Sequence, residues 1–307
     1  MQYRELGRTG LKVSAVGMGC WAIGGDAWGP VDDADSLASI RRAVDLGVTF
    51  FDTADVYGRG RSERLVGQAL QGKRDQVILA TKVGLWESGG DRPNAYTNPK
   101  MILDQCEESL RRLGTDVIDV YQCHLWWDEN TEVFLEAFEQ LRRQGKIRAY
   151  GVSTNEIDHL RHFDREGTCG VIQVDYSILN RSAEKEVLPY CVDHNIGVIL
   201  KGPLKMGLLT GKFSPETSLP EGDVRRGWPQ ETWYHEALEK VERLRPLAND
   251  GRSLGQMALA FAIRHPAVSV AIPGAKTPAQ IEANARAADV RLRDEELRSI
   301  DEIAPPL

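Results

Sequence analysis

At residues 50–58 the chain contains Phe50-Phe51-Asp52-Thr53-Ala54-Asp55-Val56-Tyr57-Gly58. Together with Val48 and Thr49 before it, this segment begins as an apolar run typical of a strand buried on both faces. It then changes abruptly to the carboxylate of Asp52, and five residues later it presents Tyr57 followed by glycine. In α/β proteins, the loop that follows such a strand is a common place for chemistry.

The next two apolar runs also end in side chains that can take part in chemistry. Val77–Thr81 is followed by Lys82, and Ile118–Cys123 is followed by His124. In a parallel barrel, all strands end at the same mouth. We therefore expect Asp52, Lys82 and His124 to converge there. Any one of them alone is more simply explained as an ordinary strand-end residue, but together they favour a functional site.

Composition limits the class of protein. The chain has 307 residues, 42% of them apolar, which is enough for one large α/β domain or two small ones. The formal net charge of −7 carries no long run of one sign, so nucleic acid is a poor candidate partner. The five cysteines are scattered without a CxxC pair, which is typical of reduced thiols. Without a signal peptide or a membrane-length apolar run, the chain is predicted to be cytoplasmic.

Periodicity predicts an N-terminal β-hairpin and then alternating strands and helices. The hairpin pairs Tyr3–Leu6 with Leu11–Ser14 around a Gly-Arg-Thr-Gly turn. The predicted strands are Ala15–Gly19, Val48–Phe51, Val77–Thr81, Ile118–Cys123, Ala149–Val152, Val171–Val174, Gly197–Leu200 and Val268–Ile272. The predicted helices are Asp33–Leu46, Ser62–Leu70, Pro99–Leu113, Thr131–Gln144, Glu156–Arg165, Ala183–His194, Glu231–Leu247, Ser253–Arg264 and Pro278–Ala288.

Eight strands alternating with helices favour a (β/α)8 TIM barrel, with residues 1–307 forming a single domain. A doubly wound sheet is the competing fold, but Gly17, Gly19 and Gly24 do not have the GxGxxG spacing of its dinucleotide motif. Lys201–Gly251, after the seventh strand, is too long for a plain connection, so we predict a long loop or insertion there.

The residues at the predicted mouth suggest a tyrosine that acts as an acid. A free phenol has a pKa near ~10, and a nearby ammonium group lowers it. Lys82 would supply that ammonium group, Asp52 would keep it charged, and His124 would direct a substrate oxygen toward Tyr57. Because no side-chain nucleophile is evident, hydride from a cofactor is the expected reductant. Metal-assisted hydrolysis is the runner-up chemistry, but only one histidine ends a strand. His159 and His162 are predicted to be solvated surface residues.

At this point the chain resembles an aldo-keto reductase over essentially its full length. The matching segments, in chain order, are Gly47–Gly58, Ala80–Lys82, the strand ending at His124, Gly151–Ser153, Gln173–Ser177, Gly207–Lys212 and Ile272–Lys276. The resemblance implies a barrel that binds NAD(P)H across its mouth and reduces aldehydes or ketones to alcohols. It also implies that Tyr57 is the general acid, tuned by Lys82 and Asp52, with His124 orienting the carbonyl group.

The resemblance also implies a set of cofactor-binding residues. Near the nicotinamide and its ribose they are Cys20, Trp21, Asp52, Ser153, Thr154, Gln173 and Lys201. Along the pyrophosphate they are Leu204, Gly207, Leu209 and Lys212, with Gly202 as a further contact. At the adenosine end they are Gly274, Lys276, Thr277, Gln280 and Asn284. The chain departs from the family pattern twice: Thr154 stands where many members have Asn, and Lys201 where many have an aromatic residue.

The preference between the two nicotinamide cofactors is predicted from the end of the eighth strand. Lys276 and Thr277 precede a helix that starts near Pro278, which places a cation, a hydroxyl group and helix N–H groups together. This combination suits a phosphate, so we predict that NADP(H) is preferred and that NAD(H) can also be used. Gln280 stands where many NADP-dependent relatives carry Arg, so the preference is expected to be modest.

The substrate is predicted to be a small carbonyl compound or alcohol. Trp21, Tyr57 and His124, with the loop residues Trp86 and Trp126, are predicted to contact it, whereas Trp28 and Trp127 fit loop packing equally well. Two alternatives remain open: a dehydrogenase that oxidises a sugar or alcohol with NAD, and a cofactor-binding regulatory subunit of an ion channel. The short segment before the hairpin speaks against the channel subunit. The sequence carries no signal for the oligomeric state.

Overall fold

A computed structural model describes residues 1–85, 96–125, 130–249 and 251–306. The chain begins with the predicted hairpin, in which β1 (Tyr3–Glu5) pairs antiparallel with β2 (Lys12–Ser14). The turn packs so closely on the start of a barrel strand that a Cβ at Gly7 would overlap the backbone at Gly197. Leu6, Leu11 and Val13 are buried against the barrel interior, so the hairpin closes the N-terminal end of the barrel.

The body of the fold is an eight-stranded parallel sheet. Its strands are β3 (Met18–Gly19), β4 (Phe50–Asp52), β5 (Ile78–Val83), β6 (Ile118–Cys123), β7 (Ile147–Ser153), β8 (Val171–Asp175), β9 (Gly197–Lys201) and β10 (Val268–Ala271). Each strand pairs with the next along the chain. The first and last strands meet through Gly17, which donates to the carbonyl of Ala271 (2.8 Å), and Ala271, which donates to that of Ala15 (3.0 Å). The predicted (β/α)8 barrel is thus confirmed. A single domain over residues 1–307 stays a prediction.

The helices follow the strands as the periodicity predicted. They are α1 (Trp21–Gly24), α2 (Asp33–Asp45), α3 (Arg61–Ala69), α4 (Pro99–Leu113), α5 (Thr131–Arg143), α6 (Ile157–Phe163), α7 (Val187–Asp193), α8 (Thr232–Leu244), α9 (Leu254–Arg264), α10 (Pro278–Arg286) and α11 (Asp294–Ile303). Within the described ranges, no helix combines the length and the apolar content that crossing a bilayer requires.

The differences from the prediction have local causes. The predicted helix Ala183–His194 is a 3-10 turn at Ser182–Glu184 followed by α7, because Pro189 lacks an N–H and is tolerated only in a first turn. The Gly-rich segment after β3 contains the one-turn helix α1, and α11 had not been predicted. Just before α6, the hydroxyl group of Thr154 accepts from the N–H of Glu156 (3.1 Å).

Side chains on the strands alternate between two environments, as the period of two requires. One layer fills the barrel interior; it contains Phe50, Ala80, Val120, Val171, Ile199 and Val270. Their neighbours in sequence, such as Phe51 and Tyr121, face the helices instead. Two residues further toward the mouth, five of these strands carry polar side chains: Asp52, Lys82, Gln122, Gln173 and Lys201. The barrel therefore changes from apolar to polar within one step along its axis.

The predicted long segment after β9 is present and crosses the barrel mouth. It contains 3-10 turns at Lys205–Thr210 and Trp228–Gln230 before α8 begins. Its residue Val224 donates through its N–H to the carbonyl of Ala27 (3.1 Å). The neighbouring Arg225 guanidinium lies 4.5 Å from the ring centroid of Trp28. The segment thus connects the β9 side of the mouth with the loop after β3.

We predict that Gly151→Ala strongly destabilises the barrel. Gly151 pairs with Val171 across β7 and β8, and a Cβ there would overlap the carbonyl oxygen of Val171. Because the obstacle is backbone, the two strands must separate, so the free energy of unfolding should fall by about 3 kcal/mol or more. Gly227→Ala is the matched control, since its Cβ would meet open space. Urea unfolding followed by tryptophan fluorescence measures both, and equal midpoints for the two variants would contradict this account.

Candidate active site

The centre of the mouth is an ion pair between the ends of β4 and β5. The Lys82 ammonium group donates to Asp52 Oδ1 at 2.6 Å and to the carbonyl oxygen of Thr53 at 2.8 Å. The Asp52 Oδ2 atom accepts from the side-chain amides of Gln173 (2.8 Å) and Gln122 (3.2 Å). Both charged residues are buried. Each carboxylate oxygen therefore has a donor, which a buried carboxylate needs.

Tyr57 reaches this pair from the loop that follows β4. Its phenolic oxygen lies 3.3 Å from the Lys82 ammonium nitrogen. The loop is held by the N–H of Thr53, which donates to Ala80 (2.9 Å), and by a tight approach at Gly58. Gly58 has φ +58°, and a Cβ there would overlap the carbonyl of Gly24. The tyrosine is thus positioned by backbone contacts on both sides of it.

Burial and the charge of Lys82 shift the pKa of Tyr57 in opposite directions. Burial raises the pKa of Tyr57 above its ordinary value, and the Lys82 ammonium opposes that rise. Burial alone would lower the pKa of Lys82, but Asp52 and Tyr57 beside it raise that pKa above its ordinary value. Lys82 is therefore charged and Tyr57 protonated at neutral pH. Lys82 acts to lower the pKa of Tyr57, as predicted, but burial raises that pKa by more.

His124, directly after β6, lies on the other side of the phenol. Its ring centroid is 6.0 Å from that of Tyr57, with the rings nearly perpendicular at 82°. Burial, with help from Lys82 and then Lys201, moves the pKa of His124 well below its usual range. The imidazole is therefore neutral at neutral pH and carries one N–H donor. Among the described residues, its Nδ1 has no hydrogen-bond partner.

Aromatic rings form one wall of the mouth. Trp21 stacks on Tyr57 with centroids 6.0 Å apart and remains 37% exposed. Trp28 packs edge-on against Trp21 at 5.0 Å. Trp28 therefore makes loop-packing contacts, as one of the two interpretations of its position in the sequence expected. The predicted substrate residues Trp86 and Trp126, and Trp127 beside them, lie outside the described residues.

Most residues predicted near the nicotinamide lie around the same mouth. The N–H of Cys20 donates to the carbonyl of Asp52 (2.8 Å), while its thiol is fully buried. The Lys201 ammonium group donates to the hydroxyl group of Ser153 at 3.1 Å. The amide nitrogen of Gln173 is committed to Asp52, and the hydroxyl group of Thr154 to the start of α6. Their contacts with a cofactor stay predictions.

The residues predicted along the pyrophosphate follow β9. Lys205, Met206 and Gly207 all have positive φ (46°, 51° and 99°), and two of them are not glycine. Strained backbone of this kind is concentrated at functional sites. Leu209 is buried, Gly202 and Leu204 are partly buried, and Lys212 is exposed. A Cβ at Gly202 would crowd the carboxylate of Asp175, so glycine is required there.

The adenosine-end residues surround the N-terminus of α10. The hydroxyl group of Thr277 caps the helix. Gln280 accepts from the N–H of Lys276 (2.7 Å), and Asn284 donates to the carbonyl of Gly274 (3.3 Å). Both side chains therefore shape the loop between β10 and α10. The Lys276 ammonium group donates to the carbonyl of Trp28 (2.9 Å), which connects this loop to the aromatic wall.

Sequence reasoning missed Arg225, which brings another cation to this place. Its guanidinium pairs with Asp223 (2.6 Å) and donates to the carbonyl of Met206 (3.1 Å). Burial and then Arg225 lower the pKa of both Lys212 and Lys276. In the sequence, the only signal for Arg225 is that it belongs to a pair of adjacent arginines inside the long segment. Nothing local shows that this part of the segment lies over the mouth.

These residues fit a dinucleotide with phosphate groups. Lys212, Arg225 and Lys276 interact unfavourably with one another. In the part of the chain that the structure describes, only one carboxylate, Asp223, is close enough to influence both lysines. Binding of an anion would reduce the repulsion among these cations. The N-terminus of α10 adds N–H groups that suit a phosphate. At the other end of the mouth lie the hydroxyl group of Ser153 and the side-chain amides of Gln122 and Gln173, groups that suit an uncharged carboxamide.

The structure gives the two histidines of α6, both predicted to be solvated, different environments. His159 is buried in α6 beside Phe163, with ring centroids 5.4 Å apart, so its prediction as a solvated residue was wrong. His159 belongs to the apolar face of this short helix. His162 is partly exposed and lies 2.9 Å from Glu132. Within the described ranges, no three His, Cys, Asp or Glu residues are grouped so as to hold a metal.

Comparison with known proteins agrees with this geometry. Residues 15–305 match the model of the Aldo/keto reductase family. The chain is 39% identical to the aldo-keto reductase YhdN of Bacillus subtilis, covering 99% of this chain and 93% of the relative. It is 34% identical to an NADH-specific methylglyoxal reductase of Escherichia coli, covering 100% and 99%.

Solved structures give the same answer. The glycerol dehydrogenase AKR11B4 of Gluconobacter oxydans superposes with a TM-score of 0.84 at 34% identity, covering 95% of this chain and 92% of that one. An aldo/keto reductase of Klebsiella pneumoniae in complex with NADP and acetate superposes with a TM-score of 0.76 at 32% identity, covering 98% and 95%. The chain therefore belongs to the aldo/keto reductase family and is an oxidoreductase with a TIM-barrel fold.

Proposed function

We propose that the protein reduces small aldehydes or ketones to alcohols with NADP(H), that NAD(H) can replace it, and that Tyr57 donates the proton. The observation that carries this proposal is the contact of Tyr57 with the Lys82 ammonium (3.3 Å), which is itself held by Asp52 (2.6 Å). A phenol beside a permanently charged, buried ammonium group can give up its proton and leave a stabilised phenolate.

A bound reduced nicotinamide would supply the hydride that reaches the carbonyl carbon. The residues of this chain then act on the carbonyl oxygen. As negative charge develops on that oxygen, Tyr57 transfers its proton to it, and Lys82 stabilises the phenolate that remains. Asp52 keeps Lys82 charged throughout. The acid is present at neutral pH because burial raises the pKa of Tyr57.

His124 serves in this proposal as an uncharged donor that orients the carbonyl oxygen. A neutral imidazole suits this role because it can donate a hydrogen bond without adding a second positive charge beside Lys82. Trp21, stacked on Tyr57, would supply an apolar wall for a small substrate. Trp86 and Trp126 remain predicted substrate residues.

The cofactor preference is supported by the cation cluster and by relatives. Lys212, Arg225 and Lys276 carry three positive charges, of which Asp223 compensates one. Lys276 lies just before the N-terminus of α10, where helix N–H groups suit a 2′-phosphate. The Klebsiella relative is described as a complex with NADP, whereas the Escherichia coli relative is named NADH-specific. Both cofactors are therefore used among relatives of similar identity, which agrees with a modest preference.

The same site can work in the oxidative direction, since proton transfer at Tyr57 is reversible. The relative named glycerol dehydrogenase favours this second candidate function. Oxidation would need the Tyr57 phenolate, so its rate should rise with pH, whereas reduction needs the phenol and should be lost at alkaline pH. Rates with a panel of aldehydes, ketones, sugars and polyols, measured in both directions, decide between them.

We predict that Tyr57→Phe lowers kcat for carbonyl reduction by about 10²–10⁴-fold, because the variant lacks the proton donor. The ring and its contact with Trp21 are preserved, so the Kd of NADPH should barely change. Steady-state rates and fluorescence titration measure the two quantities. A variant with near-wild-type kcat would show that another group supplies the proton.

We predict that Lys82→Met lowers both activity and stability. Removing the ammonium group leaves Asp52 buried without its charge partner, which typically costs about 3–5 kcal/mol. The double variant Lys82→Met/Asp52→Asn removes both charges and should regain most of the stability. It should remain inactive if the charge is needed at Tyr57. Unfolding midpoints and kcat of the three proteins test this; recovery of activity in the double variant would assign the pair a structural role only.

We predict that Lys276→Met weakens NADPH binding about ten- to a hundredfold and leaves NADH binding nearly unchanged. A charge-assisted hydrogen bond to the phosphate is worth about 1.5–3 kcal/mol. Methionine keeps most of the side-chain stem, so the loop beside Trp28 should stay packed. Titration of both cofactors at fixed salt by tryptophan quenching measures the effect. Equal losses for the two cofactors would show that Lys276 does not contact the phosphate.

A further inference from the structure

Lys201 places a second ammonium group in the mouth. It is the last residue of β9, and its Nζ donates to Ser153 Oγ at the end of β7 (3.1 Å). Since β8 lies between these two strands, the side chain crosses the end of β8 above Gln173. The family resemblance places Ser153 and Gln173 beside the nicotinamide, so the ammonium group lies next to the expected position of the ring.

The charge of Lys201 is poorly compensated. Its hydrogen-bond partner is a neutral hydroxyl group, and no carboxylate of the described residues lies within ion-pair distance of it. The charged or titratable groups around it are Lys82 on β5, His124 after β6, Asp52 on β4, Asp175 on β8 and Lys205 in the following loop. Asp52 already binds Lys82, and Asp175 accepts from Asn180 (2.8 Å) and lies 3.6 Å from Lys205.

We propose that Lys201 is a specificity residue for the oxidation state of the cofactor, and that its ammonium group disfavours the cationic NADP⁺ relative to the neutral NADPH. This inference rests on the proposed function. The two forms differ by one positive charge on the nicotinamide ring and are otherwise nearly identical. A nearby ammonium group in a partly desolvated site therefore acts almost entirely on the difference between them. Weak binding of NADP⁺ would also speed its release after reduction.

The proposal makes the discrimination depend on pH with a definite sign. Burial, with a contribution from Lys82, lowers the pKa of Lys201 to about 8. NADP⁺ should lower that pKa further, because its charge also repels the ammonium group. The ratio of Kd for NADP⁺ to Kd for NADPH is therefore highest below the Lys201 pKa of the NADP⁺ complex. It falls as pH rises and levels off above the pKa of the NADPH complex.

The test is fluorescence titration of the full-length protein with NADP⁺ and NADPH at fixed salt, from about pH 6.5 to about pH 9.5. Titration of the 2′-phosphate affects both forms alike and cancels in the ratio. We expect the wild-type ratio to fall by about tenfold or more across this range, which corresponds to about one pKa unit between the two complexes. Lys201→Met should give a low, constant ratio, and Lys201→Arg a high, constant ratio, because arginine does not titrate in this range.

Two further variants separate Lys201 from its neighbours. A Tyr57 phenolate would also favour NADP⁺ at high pH, so Tyr57→Phe must keep the pH dependence of the ratio. Lys205→Met removes a nearby ammonium group that lies beside Asp175 instead of Ser153, and it must leave the ratio unchanged.

The outcomes distinguish this inference from the function on which it rests. If both cofactors bind but the wild-type ratio is constant with pH, or if Lys201→Met keeps it, the inference is overturned and the proposed function stands. If Tyr57→Phe abolishes the pH dependence, the effect belongs to the phenol and the inference is again overturned. If the wild type binds neither cofactor, both fail.

Discussion

The buried Asp52–Lys82 ion pair is the constraint on which the site depends. Removing two charges from water is costly, and their attraction repays that cost only if the remaining hydrogen-bonding groups are satisfied. Here Gln122, Gln173 and the carbonyl of Thr53 satisfy them. These groups come from the loop after β4 and from β6 and β8, and the pair itself comes from β4 and β5. The relative register of those strands must therefore be correct for the pair to exist. The same geometry places the ammonium group against Tyr57.

This arrangement is possible because side chains along the barrel strands alternate in direction with a period of two. One inward layer is apolar and packs the interior, and the next inward layer toward the mouth contains charged and amide side chains. The hairpin seals the opposite end with Leu6, Leu11 and Val13. Stability and chemistry are thus divided along the barrel axis, as is general for this fold. Because the interior layer beneath it is strongly apolar, the polar layer can be buried without exposing the core to water.

Positive charge is distributed along the mouth in three states of compensation. Among the described residues, Lys82 is fully paired, Lys201 has only a hydroxyl partner, and Lys212, Arg225 and Lys276 form a cluster with a single carboxylate. The chain as a whole is acidic, with a formal net charge of −7. An anionic dinucleotide is therefore attracted to the mouth. In the proposed function, the compensated charge serves chemistry and the uncompensated charges serve recognition.

The amino-acid sequence by itself determined the barrel, the hairpin, the long segment after β9 and the meeting of Asp52, Tyr57, Lys82 and His124. These follow from periodicity and from the rule that parallel strands end at one mouth, both of which are local patterns. Only the tertiary structure decided the contacts of Arg225 with Trp28, the hydroxyl partner of Lys201 and the burial of His159. The first two join residues far apart in the chain, and a buried histidine is not distinguished from an exposed one by short helical spacing. Whether burial or Lys82 controls the pKa of Tyr57 also depends on the packing around it, which no linear pattern records.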